Sequence, residues 1–321
     1  MTRAILFHKN GKGNVSSEQL IDWLADAGFK ARLTNPKDKK QLRSLRNERG
    51  ALIIVAGGDG TVGKVCRRVA NIGAQIAVLP LGTANNIARS LGLHGEPRQL
   101  ISGLKRARSQ LVDVGIASGA WGDRVFLEGV GAGLFADVMA LLDSGRKQRR
   151  NGNGNGEIRK IRFAPDDKHL EASLQALAET LPDLKAKASR VFIDGKRISG
   201  KFLLVEIMNM PFFGPNLHLV PDADPGDGML DIVLLGEDHR EEFQGYLDHR
   251  LQGGKDAPKL TVIKGKRLRF EWGGSKLHID DKSISMHDAD YKIDDSNMVT
   301  IKIKHAALEF LIPPGRLKRP S

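Results

Sequence analysis

The chain has 321 residues, which can form one large domain or two of ordinary size. Its hydrophobic fraction of 40% and charged fraction of 27% are typical of a globular enzyme, and no apolar run approaches the ~20 residues needed to span a bilayer. The net charge of +12 favours an anionic partner, but an aromatic content of 5% and the lack of any known nucleic-acid-binding pattern argue against nucleic acid. Cys66 is the only cysteine, so an internal disulfide is excluded and a reducing cytoplasm is expected.

The first third of the sequence alternates predicted strands and helices. Ser16, followed by Gln19, matches a capping box at the start of the first helix. This alternation predicts a Rossmann-like parallel sheet. Strands are expected at 4–7, 30–33, 51–56 and 75–79, and helices at 17–27, 42–46, 62–71 and 98–105.

The third predicted strand ends in Gly-Gly-Asp-Gly-Thr at 57–61, directly before a helix. Glycines let a ligand approach the backbone closely, and a helix N-terminus offers unpaired N–H groups that favour a phosphate. A carboxylate would repel that phosphate, so we expect Asp59 to act through a bridging divalent cation or to orient a donor group. Taken alone, the segment fits a plain glycine-rich turn equally well.

A second segment at 75–89 repeats this design, with an apolar strand, Pro80, a Gly82-Thr83 turn and a helix. Parallel strands place such turns at one carboxyl edge of a sheet, where ligands of open α/β sheets bind. With these two motifs at this spacing, the sequence resembles the diacylglycerol kinase catalytic-domain family, in particular its bacterial lipid kinases and their sphingosine kinase relatives.

The pattern changes near 111–117, after which short strands dominate. Asp194-Gly195 predicts a tight hairpin, and helices are expected at 134–142 and 170–181. The second half is therefore expected to be an antiparallel sandwich. Its predicted strands are 124–127, 190–193, 201–208, 230–235, 260–263, 268–271, 276–279 and 299–303.

The resemblance implies the same two-domain division. A nucleotide-binding α/β domain would span 1–117, joined by the C-terminal 305–321, and a β-sandwich lipid-substrate domain would span 118–304. The active site would lie in the cleft between them.

The resemblance also implies ATP as the phosphoryl donor. A turn after the first strand offers amides and a lysine head for phosphates, although Phe7-His8 stand where the family has Asn-Pro. The residues expected to contact the nucleotide are Asn10, Gly11, Lys12, Thr34, Gly57, Gly58, Asp59, Gly60, Thr61, Gly63, Gly82 and Thr83.

An acidic loop at 219–231 suggests a cation site. Residues 227–231 match the family's Asp-Gly-x-Leu-Asp motif, which implies a structural Mg²⁺ held by Asp224, Asp227 and the Met229 carbonyl. A solvated turn between strands is the alternative.

The match fails at the general base. The family has Asp-Gly-Glu where this chain has Asp280, Asp281 and Lys282, and a lysine that is protonated at neutral pH cannot accept a proton. Asp280 or Asp281 could take over as the catalytic carboxylate that acts with Asp59. Alternatively, catalysis is slow, because a loose transition state demands little of the base, or it is lost.

A basic segment at 145–156 ends in an Asn-Gly tract. We expect a solvated, mobile loop, with contact to anionic lipid as the alternative.

Three hypotheses for function follow. The first is a cytoplasmic lipid kinase, peripheral to an anionic membrane, that transfers the ATP γ-phosphoryl to diacylglycerol or a similar lipid. The second is another Gly-Gly-Asp-Gly-Thr kinase such as NAD kinase, disfavoured because its downstream Asn-Glu motif is missing. The third is a non-catalytic nucleotide-binding regulator, which Lys282 favours. The acceptor lipid stays open, as does the choice between monomer and homodimer.

Overall fold

The computed structural model describes residues 1–8, 15–48, 50–150, 166–273, 276–285 and 298–314, with only the backbone for 145–150, 166–168 and 285. The chain folds into two compact units. The first contains the described residues of Met1–Val114, Pro225–Gly228 and Lys304–Ser321, and the second those of Gly115–Asp224 and Met229–Ile303.

The first part of the chain alternates strands and helices, as predicted. The strands are β1 (Thr2–His8), β2 (Phe29–Thr34), β3 (Leu52–Gly57) and β4 (Gln75–Pro80). The helices are α1 (Ser17–Asp26), α2 (Lys39–Ser44), α3 (Asp59–Val69), α4 (Asn86–Ser90) and α5 (Pro97–Gly103), with 3₁₀ turns at Leu45–Asn47 and Leu104–Arg106.

The remaining elements are mostly strands. They are β5 (Arg108–Gly119), β6 (Gly122–Phe126), β7 (Gly129–Gly133), β8 (Lys187–Ile193), β9 (Lys196–Met208), β10 (Phe212–Phe213), β11 (Leu217–His218), β12 (Leu230–Gly236), β13 (Val262–Gly265), β14 (Arg267–Trp272), β15 (Lys276–Ile279), β16 (Lys282–Ser285) and β17 (Met298–Ile312). The helices are α6 (Leu134–Arg150), α7 (Asp166–Thr180) and α8 (Arg240–Leu251), with a 3₁₀ turn at Glu237–His239.

The sheet of the first unit is parallel in the order β2–β1–β3–β4, and the end of β17 lies parallel to β4. β3 and β4 are nearly continuous runs of buried aliphatic side chains, as expected for a parallel sheet that is covered on both faces. The capping box of α1 is present: Ser16 Oγ accepts from the Gln19 amide at 3.2 Å, and Gln19 Oε1 accepts from the Ser16 amide at 2.8 Å.

The sheet of the second unit is antiparallel in the order β16–β15–β7–β9–β8–β14–β17, and β12 pairs with both β9 and β13. The predicted hairpin joins β8 to β9, and both turn residues, Asp194 and Gly195, have positive φ angles of 47° and 90°. Such angles at both positions match the right-handed twist of the flanking strands. The predicted parallel α/β domain followed by an antiparallel β domain is therefore confirmed.

The expected loop at 145–156 is wrong in its first half. Helix α6 continues to Arg150, because the arginine, lysine and glutamine residues of this stretch favour helix and no proline interrupts it. Residues 151–156 lie outside the described residues.

No helix in the described part of the chain is long and apolar enough to cross a membrane.

Candidate functional site

The two glycine turns lie side by side at the carboxyl edge of the parallel sheet. β3 ends at Gly57 and β4 at Pro80, and these residues are paired in register. A Cβ atom built on Gly82 would lie 2.3 Å from the Cα atom of Gly58, and one built on Gly58 would lie 2.9 Å from the Cα atom of Gly82. Neither position can carry a side chain unless the other turn moves. The prediction that both turns meet at one edge of the sheet is confirmed.

Asp59 joins the two turns through a hydrogen bond. Its Oδ1 atom accepts from the amide of Ile87, in the first turn of α4, at 2.9 Å. Burial raises the pKa of the Asp59 carboxyl, and hydrogen bonds from backbone amides, including that of Ile87, oppose the rise. The carboxylate thus orients the backbone that follows β4, which is one of the two roles expected for it.

Asn85 closes the second turn. It adopts a left-handed conformation with φ of 53°, which asparagine tolerates better than most residues. Its Oδ1 accepts from the Gly82 amide at 2.9 Å, and its Nδ2 donates to the Gly82 carbonyl at 2.7 Å. The turn is therefore fixed by its own side chain as well as by its packing against Gly58.

The ends of β1 and β2 lie along the same edge. Thr34, the last residue of β2, is buried and is paired with Phe7 of β1. His8, which follows Phe7 and ends β1, is paired with Ala56 of β3. The His8 Nδ1 atom lies 2.8 Å from the Oγ atom of Ser17, so it ties the end of β1 to the start of α1. The sequence had marked His8 only as a departure from the family pattern.

The other predicted nucleotide contacts differ in their exposure. Thr61 and Thr83 are half-buried, Gly60 is exposed and Gly63 is buried. Asn10, Gly11 and Lys12 lie outside the described residues, so their role stays a prediction.

A buried carboxylate that the sequence did not single out holds part of the acidic loop. Asp113, in β5, is fully buried, and its Oδ2 atom accepts from the Gly228 amide at 2.7 Å. Its Oδ1 atom accepts from the Ala306 amide at 2.7 Å and lies 2.8 Å from the Nδ1 atom of His305. An acid inside the apolar run Leu-Val-Asp-Val was the available signal.

The predicted metal ligands belong to the loop that precedes β12. The side chains of Asp224 and Asp227 are exposed, and Met229 is half-buried. Two carboxylates and a carbonyl are the hard oxygen donors that Mg²⁺ prefers, so the donor set fits this ion. Among the residues that the structure describes, no group of three or more His, Cys, Asp or Glu side chains could hold a metal by themselves.

Asp280 is anchored at the tip of the β15–β16 hairpin. Its carboxylate accepts from the amides of Leu127 at 3.1 Å, Glu128 at 2.9 Å and Gly129 at 3.4 Å, and its own amide donates to the Gly129 carbonyl at 2.8 Å. The side chain is buried, and φ is 48°. These contacts hold the hairpin tip against the segment that precedes β7.

Asp281 and Lys282 follow Asp280 and are exposed. The Lys282 Nζ atom lies 3.1 Å from Asp281 Oδ2, and Lys282 is paired with Ile279 across the hairpin. Of the two candidate carboxylates, Asp281 is the one whose side chain reaches solvent.

A buried pair, Glu206 and His278, was also missed by the sequence analysis. The Glu206 Oε2 atom lies 2.8 Å from His278 Nε2, and neither side chain is exposed to solvent. Their strands, β9 and β15, flank β7.

Two family models match successive parts of the chain. Residues 4–117 match the diacylglycerol kinase catalytic domain, and residues 154–294 match the YegS C-terminal NAD kinase beta sandwich-like domain.

Curated relatives carry names of the same kind. A "Diacylglycerol kinase" of Bacillus subtilis is 27% identical over 202 residues, which cover 60% of this chain and 57% of the relative. A "Probable lipid kinase YegS-like" of Pseudomonas aeruginosa is 28% identical over 224 residues, which cover 69% of this chain and 65% of the relative. The matches thus span less than two thirds of the length of these relatives.

The fold is also found in a solved structure. The crystal structure of a diacylglycerol kinase from Bacillus anthracis superposes with a TM-score of 0.70, covering 98% of this chain and 97% of that one at 18% identity. Such low identity shows a shared fold and nothing finer. The two glycine motifs, the order of the domains and both family models agree: residues 4–117 carry the pattern of a diacylglycerol kinase catalytic domain, followed at 154–294 by that of a YegS C-terminal domain.

Proposed function

We propose that this chain is an ATP-dependent lipid kinase that transfers the γ-phosphoryl group of ATP to a hydroxyl of diacylglycerol or a similar lipid. The observation that carries the proposal is the contact between Gly58 and Gly82 at the carboxyl edge of the parallel sheet. Two glycine turns next to the N-terminus of α3 suit a bound polyphosphate, because glycine lets a phosphate approach the backbone and the helix dipole favours negative charge. The names of the relatives support a lipid as the acceptor.

In this proposal the first unit holds the nucleotide. Residues 57–61 and the Gly82-Thr83 turn would contact phosphates, together with Thr34 at the end of β2 and residues 10–12, which follow β1 in the sequence. Asp59 keeps the second turn in place through the Ile87 amide and supplies the negative charge that a nucleotide-bound cation requires.

Mg²⁺ would be held by Asp224, Asp227 and the Met229 carbonyl. Bound there, it would supply a structural cross-link for the acidic loop. The Asp113 carboxylate already fixes Gly228 within the same loop, so the backbone between the proposed ligands is tethered without the ion.

Transfer requires a lipid hydroxyl to be oriented towards the γ-phosphorus. The hydroxyl oxygen bonds to that phosphorus while the bond to the β–γ bridging oxygen breaks, and ADP leaves. We assign the orienting role to Asp281, which is exposed, and an anchoring role to Asp280, whose carboxylate is occupied by three amides. The hydroxyl proton passes to Asp281 or to the transferred phosphate, because Lys282 carries no carboxylate that could accept it.

The net charge of +12 supports a peripheral contact with an anionic membrane, where lipid acceptors reside. We therefore place the protein in the cytoplasm, bound reversibly to the membrane surface.

The test is a phosphorylation assay with labelled ATP, Mg²⁺ and vesicles of several lipids in an anionic background, with NAD as a separate acceptor. Labelled lipid that is abolished in Asp59→Ala supports the proposal. Labelled NAD without labelled lipid would move the chain to another kinase class.

A second candidate function is a nucleotide-binding regulator without catalysis. The exposed Lys282, which pairs with Asp281 where the family has a glutamate, favours it. Calorimetry that shows ATP binding, together with no transfer to any acceptor, would support this candidate over the kinase.

A further inference from the structure

The Glu206–His278 pair is built across a glycine strand. His278 of β15 is paired with Gly131 of β7, and Gly131 is paired with Glu206 of β9. The three residues form one row across three strands. Because Gly131 has no side chain, the carboxylate of Glu206 and the imidazole of His278 meet above it.

Two glycines of β7 leave room for this pair. A Cβ atom on Gly131 would lie 2.0 Å from the Glu206 Oε2 atom, and one on Gly129 would lie 2.7 Å from Oε1. Glycine weakens a strand, so two glycines that face one carboxylate indicate a close approach.

The hydrogen bonds define where the protons lie. The His278 Nδ1 atom is 3.3 Å from the carbonyl oxygen of Asp280. A carbonyl only accepts, so Nδ1 must carry a proton, and Nε2 is left to bond with Glu206. The second oxygen, Glu206 Oε1, has no hydrogen-bond partner among the described residues, which penalises the ionised form.

Burial and a neighbouring negative charge also disfavour the ionised form of Glu206. Complete burial raises the pKa of Glu206, His278 opposes the rise, and the negative charge of Asp280 adds to it. The Phe213 ring packs against the imidazole ring of His278, with 4.8 Å between the ring centroids. These contacts place a proton on His278 Nδ1, which donates to the Asp280 carbonyl, and leave Nε2 bonded to Glu206.

We propose that Glu206 and His278 are positioning residues that fix the Asp280 carbonyl and thereby aim Asp281 at the lipid hydroxyl. This inference rests on the proposed function. The Asp280 residue then has its amide, its carboxylate and its carbonyl all held, by Gly129, by the 127–129 amides and by His278. A hairpin tip held at three points presents the next side chain in one direction, although that side chain is itself exposed.

Two substitutions of His278 separate the two bonds. His278→Asn places an amide donor where Nδ1 was and keeps the bond to Asp280, whereas His278→Gln places its amide near Nε2 and keeps the bond to Glu206. We expect kcat to stay within about threefold in His278→Asn and to fall about tenfold or more in His278→Gln, with the KM for ATP unchanged in both. Equal kcat values in the two variants would overturn the proposal.

The matched control is His218, which stacks on Phe212 at 4.2 Å and lies outside the proposed machinery. His218→Asn and His218→Gln should leave kcat equal to that of the wild type. A loss of kcat in these controls as large as in His278→Gln would show that the effect is general destabilisation and would also overturn the proposal.

An NMR measurement that does not depend on turnover tests the role of Glu206 and His278 independently of the proposed function. Nitrogen-15 NMR of the full chain should show a proton on His278 Nδ1, both in the wild type and in Glu206→Gln, whose amide can donate to Nε2. A proton on Nε2 alone would overturn the inference. If the wild type phosphorylates no lipid, the proposed function fails, and the NMR result alone then decides whether the pair holds Asp280.

Discussion

Glycine serves different purposes in the two units of the molecule. In the first unit, Gly58 and Gly82 let two backbone turns touch beside the N-terminus of α3. In the second unit, Gly129 and Gly131 leave room for the carboxylate of Glu206, which reaches across the strand to His278. The first arrangement suits the binding of phosphates, and the second holds a hairpin tip. The family's Gly-Gly-Asp-Gly-Thr motif is preserved in the first unit, and its Asp-Gly-Glu motif is altered in the second.

The largest effect is expected where glycine meets backbone. In Gly82→Ala the new methyl group would lie 2.3 Å from the Gly58 Cα atom, so one turn must move. We expect loss of ATP binding and of activity, and destabilisation by about 1–3 kcal/mol, measured by calorimetry and by denaturant unfolding. Gly245→Ala is the control, because nothing lies within 4 Å of its Cβ position in α8, and it should stabilise the protein by about 0.5–1 kcal/mol. Normal ATP binding by Gly82→Ala would break the comparison.

Restoring the family residue in the second unit should raise activity. Lys282→Glu places a carboxylate beside Asp281 at the hairpin tip and gives the hydroxyl proton an acceptor. We expect kcat to rise about tenfold or more, below the ~10²–10⁴ that a well-placed base contributes. The control is Lys196→Glu, an exposed lysine in the β8–β9 hairpin, which makes the same change in charge and should leave kcat unaltered. No gain in Lys282→Glu would favour the regulator over the kinase.

The buried pair should make stability depend on pH. Because burial raises the pKa of Glu206 above its ordinary value of 4.5, its contribution to stability is complete below that value and is lost as the pH rises through the pKa of the folded state. The free energy of unfolding of the wild type should therefore fall relative to that of Glu206→Gln as the pH increases from 4.5. Parallel pH profiles for the two proteins, measured by urea unfolding, would contradict a raised pKa of Glu206.

The smallest effect is expected at the acidic loop. If Mg²⁺ binds Asp224 and Asp227, saturating Mg²⁺ should raise the melting temperature of the wild type by a few degrees. The increase should disappear in Asp227→Asn. Asp123→Asn, which alters an exposed acid of β6, should retain it. An equal increase in all three proteins would exclude this loop as the ion's site.

Local patterns made the first unit predictable. Strands β3 and β4 are nearly continuous apolar runs, the Ser16–Gln19 box marks the start of α1, and both glycine turns follow a strand directly. Each of these signals lies within a few residues of the structure that it specifies. The Asp194-Gly195 hairpin was predictable for the same reason.

The second unit was harder to predict where the role of a residue depends on partners that are distant in the sequence. β7 has the sequence Gly-Val-Gly-Ala-Gly, which strand propensities disfavour, and two of its glycines, Gly129 and Gly131, face the carboxylate of Glu206 on the neighbouring strand. Helix α8 was missed as well. In the first unit the role of Asp113 was unpredictable for the same reason, because the amides that donate to its carboxylate belong to Gly228 and Ala306, which are distant in the sequence.

The proposed lipid kinase activity, and the role of the Asp59 charge in it, can be tested in one measurement. This is the rate of phosphoryl transfer from ATP to diacylglycerol in anionic vesicles, compared between the wild type and Asp59→Asn. Asparagine keeps the oxygen that accepts from the Ile87 amide and removes the charge, so the fold and the second turn should be retained. We expect transfer by the wild type and a rate that is about a hundredfold or more lower in the variant, with little change in melting temperature. Equal rates in the two proteins, or no transfer by either, would contradict it.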